Sequence, residues 1–156
     1  MRKSKSWRDK LQDAKGLPKV DPLCGRMLER FGPVTMVIPA PVEVDEIMRS
    51  VPAGKLITIN EIRATLAKKH NADTACPITT GIFAWIAAHA AEESSATGES
   101  DITPYWRTLK TGGELNAKYP GGIDHLRARL ESEGHRVLFK GKRAVVDSYQ
   151  ASLASV

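Results

Sequence analysis

The sequence predicts a mostly α-helical fold with a small β-wing, on three observations. "TINEIRATLAKKH" (58–70) and "PITTGIFAWIAAHAAEE" (77–93) read as two helices joined by the turn "NADTACP". "IDHLRARLESEG" reads as a further helix ending at Gly134. "HRVLFKGKRAVVDSY" reads as two strands around a tight Gly141-Lys142 turn. A helical core carrying a small β-wing is a winged helix-turn-helix arrangement.

The first of the two helices is the clearest in the chain. Thr58 and Glu61 form a T-x-x-E capping box, and Ile59, Ile62, Leu66 and Ala67 make one apolar face. Lys68, Lys69 and His70 sit near its C-terminus, where the helix dipole favours cations. Pro77 suits the first turn of the second helix, which is apolar on nearly all sides and so expected to be buried. Upstream, "SWRDKLQDA" predicts a short helix and "VTMVIP" a short strand. "PVEVDEIMRSV" predicts a helix with Val44, Ile47, Met48 and Val51 on one face. Downstream, "SSATGES" is a polar loop, "PYWRTLK" reads as a strand, and "TGGELNAKYPGG" as a glycine-rich hairpin or wing.

At 156 residues the chain holds one domain's worth of core. No apolar run approaches the roughly 18 residues of a membrane span, and no secretion signal follows the basic N-terminus. A cytoplasmic protein without membrane contact is expected. Cys24 and Cys76 stand far apart, so neither a zinc site nor a disulfide framework is predicted, and neither metal nor cofactor is expected. His70, His89, His125 and His135 are scattered and read as solvated or helix-end residues. The net charge of +5 belongs to the N-terminus: residues 1–20 hold seven cations against two acids, and the rest balances at sixteen each. The chain thus divides into a basic, proline-punctuated arm (1–41), a central domain (42–136) and a C-terminal hairpin and tail (137–156). Such an arm suits phosphate neutralisation, though on charge alone a solvated tail is the plainer account.

Over residues 42–136 the chain resembles the DNA-binding and active-site domain of the alkylguanine-DNA alkyltransferases, the methylated-DNA-protein cysteine methyltransferase family. Four pieces arrive in the family's order: "VPAGKLITINEIRATLA", "TTGIFAWIAAHA", "TPYWRTLK" and "GELNAKYPGGIDHLRARLESEG". The third stands where the family carries Pro-Cys-His-Arg, whose cysteine accepts the alkyl group and whose histidine helps to deprotonate it. Here Pro104 and Arg107 match, but Tyr105 and Trp106 replace the reactive pair. A phenol with pKa near 10 is only about a thousandth ionised at neutral pH, and an indole donates a hydrogen bond but accepts no proton. With no base beside Tyr105, alkyl transfer is expected to be absent and no catalytic residue is assigned.

The resemblance implies a pocket lined by Pro104, Tyr105, Trp106, Arg107, Tyr119, Gly121, Gly122 and Glu133. Glu133 matches the family's Cys-His-Glu glutamate and, without its histidine, is expected to satisfy backbone donors. Ile59 and Thr80 take the places of the family's base-flipping tyrosine and arginine. Duplex contacts are expected from Thr58, Ile59, Thr79, Thr80, Gly81 and Arg107, and from Lys140, Lys142 and Arg143 on the basic hairpin. The chain thus looks like a cysteine-less, alkyltransferase-like member that binds double-stranded DNA, including alkylated guanine, and flags damage. A monomer is expected, with a repair or regulatory protein as a further partner. The competing reading is a regulatory or interaction module on the same frame, its pocket filled by aromatics. An unrelated enzyme finds no motif to support it.

Overall fold

The computed structural model describes residues 5–155, so Arg2 and Lys3 of the basic arm lie outside the described residues. About half of the described residues are helical, and among them are three small sheets. In order come α1 (Trp7–Gln12), β1 (Lys19–Pro22), α2 (Gly25–Phe31), β2 (Thr35–Ile38) and α3 (Pro41–Arg49). Next are β3 (Ile57–Thr58), α4 (Ile59–Lys69), β4 (Thr74–Ala75) and α5 (Pro77–Ala96). A 3-10 turn (Tyr105–Arg107), β5 (Thr108–Leu109), α6 (Gly122–Ser132), β6 (Val137–Lys140) and β7 (Arg143–Val146) complete the main elements.

The 20-residue α5 is the axis. Its apolar positions run round the helix, and Ala84, Ala87, Ala88, Ala90 and Ala91 are all buried, small enough to let neighbours approach closely. α1, α3 and α4 all pack against it. Val44 and Met48 of α3, Ile62 and Leu66 of α4 and Leu126 and Leu130 of α6 point into the same core. Leu11 of α1 and Val37 of β2 belong to that core too, so the first forty residues carry packing residues as well as charge. Glu93 of α5 caps α1 by accepting from the Trp7 and Arg8 amides at 3.0 and 3.3 Å.

The expected turn between α4 and α5 is more than a turn. Asn71 takes a left-handed φ of +56°, and β4 then pairs in parallel with β2, whose other edge pairs antiparallel with β1. At the start of α4, Glu61 accepts from the Thr58 amide at 3.2 Å and from its hydroxyl, so the cap predicted from T-x-x-E is present.

The hairpin β6–β7 pairs Lys140 with Arg143 around Gly141-Lys142, as the sequence predicts, with Gly141 at φ +64°. Two other expectations are corrected. "PYWRTLK" is not a strand throughout: the Pro104 carbonyl is taken by the Arg107 amide at 3.1 Å, closing a 3-10 turn. Only Thr108 and Leu109 keep backbone free to pair, in parallel, with β3. "TGGELNAKYPGG" is not a hairpin either. Gly112 and Gly113 turn at positive φ, and the chain then runs along the edge of β7, where Leu115 donates to the Ala144 carbonyl at 2.9 Å. No helix of the described residues is long and apolar enough to cross a membrane.

Candidate nucleic-acid interface

Tyr105 is fully buried and Trp106 is 8% exposed. The Tyr105 ring packs edge-on against Trp106 and Tyr119, with centroids 5.4 and 6.2 Å away, and Tyr119 is itself 3% exposed. Tyr105 and Tyr119 are thus packed into the core, while Pro104, Trp106 and Arg107 of the expected pocket line an open cleft of about 620 Å³ together with Arg49 and Arg129. Gly121 is required beside the two tyrosines. Its φ is +83°, and a Cβ there would lie 2.6 Å from the Cβ of His125. Gly122, also at positive φ, begins α6.

The expectation that no base stands near Tyr105 is corrected. Its hydroxyl donates to Glu92 Oε2 at 3.1 Å, and His125 Nε2 lies 3.0 Å from the same oxygen. With the phenol proton committed to the carboxylate, His125 Nε2–H is the donor in the second bond. Proximity does not make the phenol reactive, however. Burial pushes its pKa well above the ordinary value, and the negative charge of Glu92 pushes it further. Tyr105 therefore stays protonated at any physiological pH.

The histidines are likewise less solvated than expected. His70 Nε2 lies 2.6 Å from buried Glu43, and His89 stacks on Trp7 with ring centroids 4.4 Å apart. The Nε2 atom of His135 is buried without a hydrogen-bond partner, and burial holds its pKa below the ordinary value.

Glu133, at the end of α6, ties three segments together. It accepts from the Trp106 indole at 2.8 Å and from Arg107 through Nε at 2.9 Å and Nη2 at 2.8 Å. A longer bond comes from the Gly54 amide at 3.3 Å. The remaining Arg107 nitrogen, Nη1, donates to the Val51 carbonyl at 2.7 Å. Burial alone would raise the carboxyl's pKa, but the Arg107, Trp106 and Gly54 bonds outweigh it and hold Glu133 below its usual value.

The residues expected to touch DNA divide into two groups. Thr58 is 3% exposed and engaged with Glu61, while Thr80 is fully buried with its hydroxyl on the Cys76 carbonyl at 2.7 Å. Arg107, 14% exposed, bonds Glu133 and the Val51 carbonyl. All three side chains are thus engaged within the chain, and Arg107 also lines an open cleft with Pro104, Trp106 and Arg129. Thr79 is half-buried, and its Oγ1 is enclosed without a partner.

Ile59 and Gly81 do line an open groove of about 540 Å³, together with Pro77, Ile78, Ile82, Trp85, Lys110 and Lys118. It runs between the first half of α5 and the 110–118 loop. Trp85 Nε1 and His89 Nε2 fix that loop from below, each near the Lys118 carbonyl at 3.2 and 3.3 Å. Glu114 bonds Lys110 at 3.2 Å and Arg143 at 2.9 Å, which links the groove to the hairpin bearing exposed Lys140 and Lys142. Sequence reasoning missed Ile78, Ile82, Trp85, Lys110 and Lys118. The i, i+4, i+7 spacing of the first three was present, but it was submerged in a helix apolar on every side.

No family model matches the chain, and no curated protein sequence matches it. Among solved structures the chain is similar to S. pombe Atl1 in complex with damaged DNA containing O6-carboxymethylguanine. The two are 15% identical over 74% of this chain and 94% of that one, with a TM-score of 0.49. A second S. pombe ATL structure, in complex with DNA, is 14% identical over the same shares, with a TM-score of 0.47. At such identity the likeness says nothing about individual side chains.

Proposed function

We propose that this chain is a non-enzymatic DNA-binding protein that holds duplex DNA on a winged helix-turn-helix surface. The observation that carries this reading is the groove beside α5, which has an apolar floor, Lys110 and Lys118 in its lining, and no carboxylate among its lining residues. A polyanion suits such a lining, and the linked hairpin adds Lys140, Lys142 and Arg143 as phosphate contacts. In this reading α4 and α5 are the helix-turn-helix and β6–β7 is the wing.

The buried, protonated phenol of Tyr105 supports the absence of alkyl transfer, because it is no nucleophile in that state. The packed rings of Tyr105 and Tyr119 support duplex binding without a flipped base. The same packing favours the interaction-module reading as far as the pocket is concerned, but the cationic groove favours nucleic acid.

The test combines fluorescence anisotropy and intact-mass spectrometry on the full chain with plain duplex and with duplex containing an O6-alkylguanine. Salt-sensitive binding with unchanged protein mass is expected. A gain of one alkyl group would overturn the non-enzymatic reading, and absence of binding to either duplex would overturn DNA binding.

A further inference from the structure

We propose that Ile78, in the first turn of α5, is an apolar wedge that enters the base stack of the bound duplex. It would open one base step without extracting a base. This inference rests on the groove being a duplex-binding surface, and it adds how the duplex would be deformed there.

Ile78 is 71% exposed, the highest value among the exposed large apolar side chains of the described residues, and Ile82 one turn later is 46% exposed. Exposed Pro77 precedes them, so the chain presents an apolar knuckle at the head of its longest helix. Between the two isoleucines, a Cβ added to Gly81 would meet nothing within 4 Å, so the helix surface there is low and open to close approach. Duplex-kinking proteins use this combination: an isoleucine, leucine, phenylalanine or proline between base steps, with cations on the flanking phosphates. Lys110 and Lys118 line the same groove, and the carboxylate of Glu114 is turned onto Lys110 and Arg143 rather than left to repel an anion. The head of α5 adds amides without a side-chain cap, since Cys76 makes no capping bond, and such amides favour a phosphate.

A wedge differs from a base-flipping finger in where the opened bases go. Tyr105 and Tyr119 are both buried, so no base is received between their rings, and in this proposal the opened bases stay within the helix. The cost is then one unstacked step, which falls at pyrimidine–purine steps and at mismatches whatever their chemistry. Preference should track the weakness of the step rather than the identity of a lesion.

The experiment places 2-aminopurine, which brightens when unstacked, at a TA step in a short duplex saturated with the full chain. Wild type is expected to raise its fluorescence several-fold. Ile78→Ala should lose most of that rise at saturation, and Ile78→Phe should keep it. Leu28→Ala, an exposed apolar position on α2, should change neither the rise nor the affinity. A central mismatch should tighten wild-type binding about ten-fold, or about 1.4 kcal/mol, and leave Ile78→Ala nearly indifferent. Saturation of wild type without a rise, or a full rise with Ile78→Ala, would overturn the wedge and leave duplex binding standing. An acidic amphipathic peptide binding the groove in place of any duplex would overturn both proposals.

Discussion

Glu133 is the residue that holds the turn at Tyr105–Arg107 to its neighbours. Its carboxylate neutralises Arg107 and satisfies the Trp106 indole and the Gly54 amide, in surroundings where each is largely shielded from water. Glu133→Gln leaves Arg107 uncompensated, and denaturant unfolding should show a loss of about 2–4 kcal/mol. The pH dependence has a definite sign. The folded carboxyl is held below the unfolded value of about 4.3, so its stabilisation is present above that pH and fades as pH falls through the folded pKa. Glu133→Gln should therefore flatten the acid limb of the stability profile. Tyr105→Phe removes the bonds to Glu92 and His125 and should cost about 1 kcal/mol, read by the same denaturation, with duplex affinity unchanged. The stretch "PYWR" stands out in the sequence by its two adjacent aromatics between Pro104 and Arg107. Glu92 and His125 were not legible as its partners. They reach Tyr105 from 13 residues before and 20 after, and no periodicity marks such a meeting.

Among the elements, those with strong local signals matched the sequence reading. The α4 cap follows from Thr58 and Glu61, and the β6–β7 turn follows from Gly141-Lys142. Thr58→Ala should cost about 1 kcal/mol of stability by thermal or denaturant unfolding. The misread elements are those whose form is set by tertiary contact. Residues 105–107 coil because the Pro104 carbonyl is used locally and Tyr105 is drawn into the core. Residues 114–115 pair with β7, a strand some thirty positions later, which no local pattern announces. The docking of α1 was equally hidden. Trp7 stacks on His89 and meets Trp85 edge-on, with centroids 4.4 and 4.7 Å apart, while Glu93 caps the helix. Trp7→Ala should release α1, lower stability by about 2–3 kcal/mol and change the emission of Trp85, which fluorescence-monitored unfolding would record.

For the whole molecule, the net charge of +5 and its distribution suit a polyanionic partner. The core spans Leu11 to Val146, and Trp7 packs against it, so α1 joins the part of the chain richest in cations to the core. The measurement that bears most directly on the proposed function is duplex affinity across a range of salt concentrations, for wild type and for a Lys140→Gln/Lys142→Gln variant. For wild type, log K should fall linearly with log salt, by about 0.9 for each phosphate neutralised. The double variant should bind more weakly and show a slope shallower by about 1 to 2. Duplex affinity that is absent, or that does not change with salt, would contradict it.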